Sequence, residues 1–106
     1  MSQALPTGIV TFVFTDIEGS TRLLHELGPD YHDALAQHHR VLREAISGAG
    51  GREVSTHGDA FFAVFTEADS AVAAATAAQQ RLATQAWPGG RELRVRIGIH
   101  TGLGTI

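Results

Sequence analysis

The 106 residues of this chain suffice for one small domain, and 43% of them are hydrophobic, which is enough to bury a core. The eight basic residues are scattered arginines and the net charge is -3, which argues against a nucleic-acid-binding surface. Cysteine is absent, so disulfides and thiolate metal sites are excluded. The longest apolar run, residues 8–14, is too short to cross a bilayer, and the first residues do not resemble a signal peptide. We therefore expect a cytoplasmic domain without membrane contact.

The first half of the chain predicts a strand followed by a kinked helix. Residues 8–14 are rich in β-branched and aromatic side chains without polar alternation, which is typical of a strand buried on both faces. Ser20 is a candidate N-cap for the helix that follows, and residues 28–29, Gly-Pro, would break or kink that helix. The helix then resumes with apolar residues at three- and four-residue spacing and ends at the glycine-rich segment 48–51.

The second half of the chain predicts a hairpin, a second helix and a last strand. Two strand-forming runs, 52–56 and 60–65, are separated by the short segment 57–59, as in a β-hairpin. Residues 67–86 are alanine-rich and helical in period, and residues 93–100 alternate between apolar and polar side chains, as in a half-buried strand. The order of elements predicts an α+β domain with a ferredoxin-like βαββαβ core, in which two helices cover one face of an antiparallel sheet.

Two aspartates are the strongest candidates for chemistry. Asp16 comes at the end of the first predicted strand, and Asp59 lies at the tip or first exit residue of the hairpin. Because the first and third strands of a ferredoxin-like sheet are neighbours, we expect the two carboxylates to meet at one edge of the sheet. Carboxylates that close repel each other unless a cation lies between them. Oxygen ligands suit Mg²⁺ or Mn²⁺, which also bind substrate phosphates.

A candidate phosphate-binding turn follows Asp16. In residues 17–21, Ile-Glu-Gly-Ser-Thr, the chain turns into a helix and presents free N–H groups and the positive end of the helix dipole. Gly19 lets the backbone approach an anion without an intervening side chain. Each feature taken singly is also common in ordinary turns. Their joint placement with Asp16 and Asp59 favours a triphosphate and metal site.

Three segments, in this order, resemble motifs of the class III adenylate and guanylate cyclases. TFVFTDIEGSTRL, residues 11–23, resembles the opening motif of that family, and GREVSTHGDAFFAVF, residues 51–65, is similar to its second motif. VRIGIHTG, residues 95–102, resembles the strand and turn that follow the family's second helix. The matches extend over nearly the whole chain.

The resemblance implies a role for each candidate residue. The metal ligands would be the carboxylates of Asp16 and Asp59 and the backbone carbonyl of Ile17. The residues that would hold the substrate triphosphate are Gly19, Ser20 and Thr21. The implied activity is that of a phosphorus–oxygen lyase, which uses two Mg²⁺ or Mn²⁺ ions to convert ATP to 3′,5′-cyclic AMP and pyrophosphate. A homodimer is implied as well, since the active sites of this family lie between two such domains.

Two departures from the family pattern leave the substrate and the activity open. The family commonly has a lysine that contacts adenine immediately before the position of Thr56; this chain has Ser55 there, an uncharged candidate for base binding, so ATP and GTP both stay candidates. The family's further base-reading and transition-state residues lie beyond the equivalent of Ile106. We therefore expect residues 1–106 to be one cyclase-like domain that lacks its C-terminal portion.

Two alternative functions remain. The first is a catalytically inactive cyclase-like module used for dimerisation or nucleotide sensing. The second, ranked last, is a polymerase-palm-like or diguanylate-cyclase-like domain, because the hairpin keeps only part of the GG[DE]EF-type pattern of such domains.

The other polar and aromatic residues are predicted to be structural. His38 falls on the buried helical stripe, and His39 points about 100° away from it, so the two are not expected to share a metal. His57 is predicted to be a solvated turn residue. On the last strand, the side chains expected to be solvated or structural are Arg94, Arg96 and His100. The aromatic side chains expected in the core are Phe12, Phe14, Phe61, Phe62 and Phe65.

Overall fold

The computed structural model describes residues 8–90 and 92–104, and within them four strands and three helices. In chain order these are β1 (Gly8–Ile17), α1 (Ser20–Leu27), α2 (Asp30–Gly48), β2 (Arg52–His57), β3 (Ala60–Phe65), α3 (Ala68–Thr84) and β4 (Val95–Gly104). The strands form one antiparallel sheet in the order β2-β3-β1-β4. This is the strand order of a ferredoxin-like unit, so the predicted α+β architecture with a βαββαβ core is confirmed.

The first predicted helix is divided into two. Gly28 ends α1 with a positive φ of 54°, while its N–H still donates to the carbonyl oxygen of Leu24. Pro29 then caps α2 at φ -59°. Glycine at the end of one helix and proline at the start of the next make the chain turn here, as the sequence predicted.

The core lies between one face of the sheet and the helices. Val13 and Ile17 of β1, together with Phe61 and Phe65 of β3, pack against the helices and are at most 2% exposed. Small side chains on the buried face of α3 let that helix approach the sheet closely: Ala71, Ala74 and Ala78.

The opposite face of the sheet carries an aromatic patch formed by Phe12, Phe14 and Phe62. The ring of Phe62 stacks on Phe12 and Phe14 at centroid distances of 5.6 and 4.6 Å, and Phe14 is 50% exposed. The prediction that every phenylalanine belongs to the core is therefore wrong. The prediction that β1 is buried on both faces fails at Phe14, whereas Val10 on the same face is 1% exposed. Successive strand residues point to opposite faces, and the described helices cover only one of them.

Several boundaries differ from the sequence prediction, since β2 ends at His57, α3 extends over Ala68–Thr84 and β4 over Val95–Gly104, and two further differences affect the site. Strand β1 continues to Ile17, because β4 pairs with it along its whole length, from Gly8↔Gly104 to Ile17↔Val95. Asp16 therefore lies within the strand and not after it. Helix α1 begins at Ser20, with Gly19 in the N-cap position, so the prediction of Ser20 as the N-cap is wrong.

Among the described residues, no helix combines the length and the apolar character needed to cross a membrane.

Candidate functional site

Asp59 contacts the strand end that carries Asp16. The last register pair between β1 and β3 is Thr15↔Phe61, and two further steps along both strands lead to Ile17 and Asp59. At that point the Oδ2 atom of Asp59 accepts a hydrogen bond of 2.9 Å from the backbone N–H of Ile17. The side chain thus takes the place of the next backbone acceptor of the sheet. The structure brings the Asp59 carboxylate to the residue that directly follows Asp16.

Asp16 forms an ion pair that the sequence analysis missed. It lies opposite Arg96 in the β1–β4 register, and the Nε and Nη2 atoms of Arg96 donate to its two carboxylate oxygens, both at 2.7 Å. These hydrogen bonds hold the pKa of Asp16 below its ordinary value, so the carboxylate is ionised at neutral pH. Arg96 was predicted to be a solvated charge, and its side chain is 67% exposed, but it also has this specific partner.

The turn after β1 presents backbone N–H groups that the hydrogen bonds of helix α1 do not use. Gly19 has a φ of 64°, and a Cβ there would meet nothing within 4 Å, so the backbone conformation and not lack of space favours glycine. The first helical hydrogen bond of α1 runs from the N–H of Leu23 to Gly19, at 2.9 Å. The N–H groups of Ser20 and Thr21 precede it, and no side chain caps the helix. The turn can therefore donate hydrogen bonds to an anion.

Ser55 lies on the wall of a cavity of about 580 Å³ on the face of the aromatic patch. It pairs with Phe62 across the hairpin, and Asp16 and Arg96 lie on the opposite wall. A volume of this size with apolar walls and a few polar groups is typical of a small-molecule pocket. Ser55 and Asp16 therefore line the same cavity, whereas neither Asp59 nor the Gly19 turn lines it.

Helix α2 contacts the hairpin turn on the other side of the sheet. The Nε2 atom of His39 lies 2.8 Å from the backbone oxygen of Gly58. Tyr31 has a raised pKa, mainly because it is partly buried and also because the negative charge of Asp59 is near. His38 is fully buried and burial lowers its pKa to about 4, which confirms the prediction of a core histidine.

His57, Arg94 and His100 are exposed, which confirms the prediction of a solvated side chain for His57 and Arg94. His57 ends β2 and also lies on the cavity wall, and His100 is opposite Phe12 in β4. Arg94 forms an exposed ion pair with Glu92 at 3.4 Å. Across residues 8–90 and 92–104, no three histidine, aspartate or glutamate side chains cluster in a way that could hold a metal ion.

Comparison with known proteins identifies related sequences and a family model that matches this chain. The family model described as the adenylate and guanylate cyclase catalytic domain matches residues 2–106. An adenylate cyclase of Podospora anserina is 34% identical in sequence over a match that covers 92% of this chain. Receptor-type adenylate cyclase B of Leishmania donovani is 35% identical over a match that covers 89% of this chain. The chain spans only 5% and 10% of these two proteins.

Solved structures share the fold. An adenylate cyclase of Trypanosoma brucei, studied in its monomeric state, superposes with a TM-score of 0.84 at 30% identity, covering 96% of this chain and 59% of the other. The guanylate cyclase domain of RhGC from Catenaria anguillulae, in complex with GTP, gives a TM-score of 0.82 at 24% identity, over 93% and 59% of the two chains. With the family model matching nearly the whole sequence, the chain belongs to the adenylate and guanylate cyclase catalytic domain family.

Proposed function

We propose that this domain is a metal-dependent nucleotide cyclase that converts ATP to 3′,5′-cyclic AMP and pyrophosphate. The observation that carries the proposal is the 2.9 Å hydrogen bond from the Ile17 N–H to Asp59, which holds that carboxylate at the residue directly after Asp16. ATP is favoured over GTP because the relatives from P. anserina and L. donovani are named adenylate cyclases. Because this chain spans only 5% and 10% of those two proteins, we propose both its cyclase activity and its substrate and do not take them over from the relatives.

The residues at this strand end fit a divalent cation by their chemistry. Asp16 and Asp59 supply carboxylate oxygens and Ile17 a carbonyl oxygen, which are the hard ligands that Mg²⁺ and Mn²⁺ prefer. When bound, two such ions would activate the attacking hydroxyl and neutralise charge on the leaving pyrophosphate. Arg96 keeps Asp16 ionised and donates one hydrogen bond to each of its oxygens, so a cation at Asp16 would share these oxygens with the guanidinium or displace it.

The substrate would lie between the turn and the cavity. The N–H groups at the start of α1, which follow Gly19, are suited to the triphosphate, because anions bind at helix N-termini. The apolar walls of the cavity beside Phe14 and Phe62 suit the flat face of a purine. The hydroxyl of Ser55 can both donate and accept a hydrogen bond, so by itself it does not select adenine over guanine.

A homodimer is part of the proposal. The aromatic patch gives it physical support, since Phe14 is 50% exposed beside two further rings. Exposed contiguous apolar surface of this kind is typical of a site that another surface covers. Light scattering on the protein measures the oligomeric state, and a monomer at all concentrations would contradict this part of the proposal.

A second candidate is a module that binds nucleotide or partner without turnover. Two observations favour it: Arg96 engages both oxygens of Asp16, and Ser55 replaces the lysine common in the family. In this function the cavity would still accept a nucleotide, but the site would not assemble for reaction.

One experiment separates the two candidates. The complete protein, not residues 1–106 alone, is incubated with Mn²⁺ and ATP or GTP, and cyclic nucleotide and pyrophosphate are quantified. We expect Asp16→Asn and Asp59→Asn each to lower the rate about a hundredfold, the scale seen when one electrostatic group is removed from an active site. Asp33→Asn, at an exposed position of α2, is the matched control and should keep the parent rate. If the parent makes no more product than Asp16→Asn, catalysis is refuted, and calorimetric nucleotide binding without turnover would then support the second candidate.

A further inference from the structure

One side chain of helix α2 holds the turn between β2 and β3. The Nε2 atom of His39 lies 2.8 Å from the backbone oxygen of Gly58. Because a carbonyl oxygen only accepts hydrogen bonds, Nε2 must carry the proton. The neutral Nε2–H tautomer and the imidazolium both satisfy this requirement, so the contact does not depend on the charge of the ring.

The carbonyl group that His39 contacts belongs to the peptide unit that joins Gly58 to Asp59. The C=O of Gly58 and the N–H of Asp59 belong to the same planar peptide unit. A hydrogen bond to the carbonyl oxygen of Gly58 therefore restricts rotation of the Gly58–Asp59 peptide plane, and with it the direction of the Asp59 backbone. This restriction matters here because Gly58 has a φ of 58° and, without a Cβ, a wide choice of backbone angles.

The ring of His39 is itself held in place. It is partly buried, with its centroid 6.3 Å from that of Phe61 and 5.1 Å from that of His38. Both neighbours are buried in the core. The imidazole thus links α2 to the hairpin turn through a ring that lies beside two core side chains.

We propose that His39 is a positioning residue: it orients the Gly58–Asp59 peptide so that the Asp59 carboxylate stays on the N–H of Ile17. Two hydrogen bonds in series, at 2.8 and 2.9 Å, then link helix α2 to the end of β1. The consequence for metal binding rests on the proposed function, whereas the link to Ile17 stands on geometry alone.

The first test measures the Ile17 amide directly. In His39→Leu, we expect the Ile17 amide resonance to shift and its hydrogen exchange to accelerate about tenfold, the factor for losing roughly one hydrogen bond. In His39→Gln, whose side-chain amide can donate from a similar position, both quantities should stay near the parent values. His32→Leu, at an exposed position of the same helix, is the matched control and should change neither.

The second test measures Mn²⁺ affinity by titration in the same variants. We expect His39→Leu to bind Mn²⁺ roughly tenfold more weakly than the parent, the scale seen when a group that orients a metal ligand is lost, and His39→Gln to restore the affinity. Thermal unfolding checks that each variant is folded. If His39→Leu does not fold, His39→Asn replaces it, because the shorter amide cannot reach Gly58.

The outcomes separate the two proposals. An Ile17 amide that keeps its resonance and exchange rate when His39 is replaced by Leu or Asn overturns the positioning role, whatever the metal does. A parent protein that binds no Mn²⁺ refutes the metal site of the proposed function, while the Ile17 measurements still decide the role of His39. Weaker Mn²⁺ binding in His39→Leu that Gln fails to restore, with Ile17 unchanged, would also contradict the positioning role.

Discussion

The buried His38 makes the stability of this domain sensitive to mild acid. The side chain is 0% exposed, and within the described part of the chain no partner meets hydrogen-bond geometry at either ring nitrogen, although the backbone of Leu35 lies close enough to oppose part of the pKa shift. Burial, reinforced by His39, lowers the pKa of His38 from 6.5 to about 4. Below pH 6.5 the unfolded chain therefore takes up a proton at His38, whereas the folded protein does so only near pH 4. The stability contributed by the neutral ring is complete above the unfolded pKa and is lost as the pH falls through the folded one.

The size of the effect follows from the two pKa values. A difference of about 2.5 pH units corresponds to about 3 kcal/mol of unfolding free energy once the pH is below both values. At pH 5 the loss relative to pH 7.5 is about 2 kcal/mol, because the unfolded chain is then largely protonated at His38 and the folded protein is not. Small domains have only about 5–15 kcal/mol in total, so the change is measurable.

Urea unfolding of the parent and of His38→Leu at pH 7.5 and pH 5.0 tests this prediction. Leucine fills the site without the unsatisfied ring nitrogens, so we expect the variant to lie within about 1.5 kcal/mol of the parent at pH 7.5. Between the two pH values the variant should lose about 2 kcal/mol less than the parent. His25→Gln, at an exposed position of α1, should keep the pH dependence of the parent. Equal losses in the parent and in His38→Leu would refute the reasoning.

Two further predictions concern packing and the ion pair. Gly51→Ala should destabilise the domain by about 1–3 kcal/mol, because its Cβ would collide with the ring of Phe65. Gly48→Ala, at the end of α2 with nothing within 4 Å of the added Cβ, should be neutral or stabilising, and similar losses of melting temperature in both variants would contradict this packing argument. Arg96→Ala should raise the pKa of Asp16, since the hydrogen bonds of Arg96 are the main cause of its lowering. NMR titration of the Asp16 carboxyl carbon measures this shift, and an unchanged pKa would show that the ion pair does not persist in solution.

The sequence predicted the acidic half of the candidate site but not its basic partner. Asp16 and Asp59 could be chosen because each stands at the end of a recognisable strand or hairpin, and the Gly19 turn is a local pattern. Arg96 follows Asp16 by 80 positions, and their contact depends on the β1–β4 register. Alternation along β4 indicates which face Arg96 points to, but not which residue of β1 lies opposite.

The aromatic patch shows where periodicity misleads. The β1 run has no polar alternation, because the positions that point away from the helices carry Phe12 and Phe14 and not polar side chains. Apolar residues on both faces predicted a strand that is covered on both faces. Only the packing of the described helices, all on one side, decides that Phe61 lies in the core and that the rings of the patch do not.

By itself, the sequence determined the type and order of the elements, the break at residues 28–29 and the family to which the motifs belong. These features are local, since helical and strand periods, turn residues and motif spacing depend on neighbours a few positions away. The tertiary structure decided which distant groups meet: the Asp59 carboxylate with the Ile17 N–H, Arg96 with Asp16, and His39 with Gly58. Those contacts depend on strand register and on the placement of α2 over the sheet, and a shift of one residue in the β1–β4 register, for example, would separate Arg96 from Asp16.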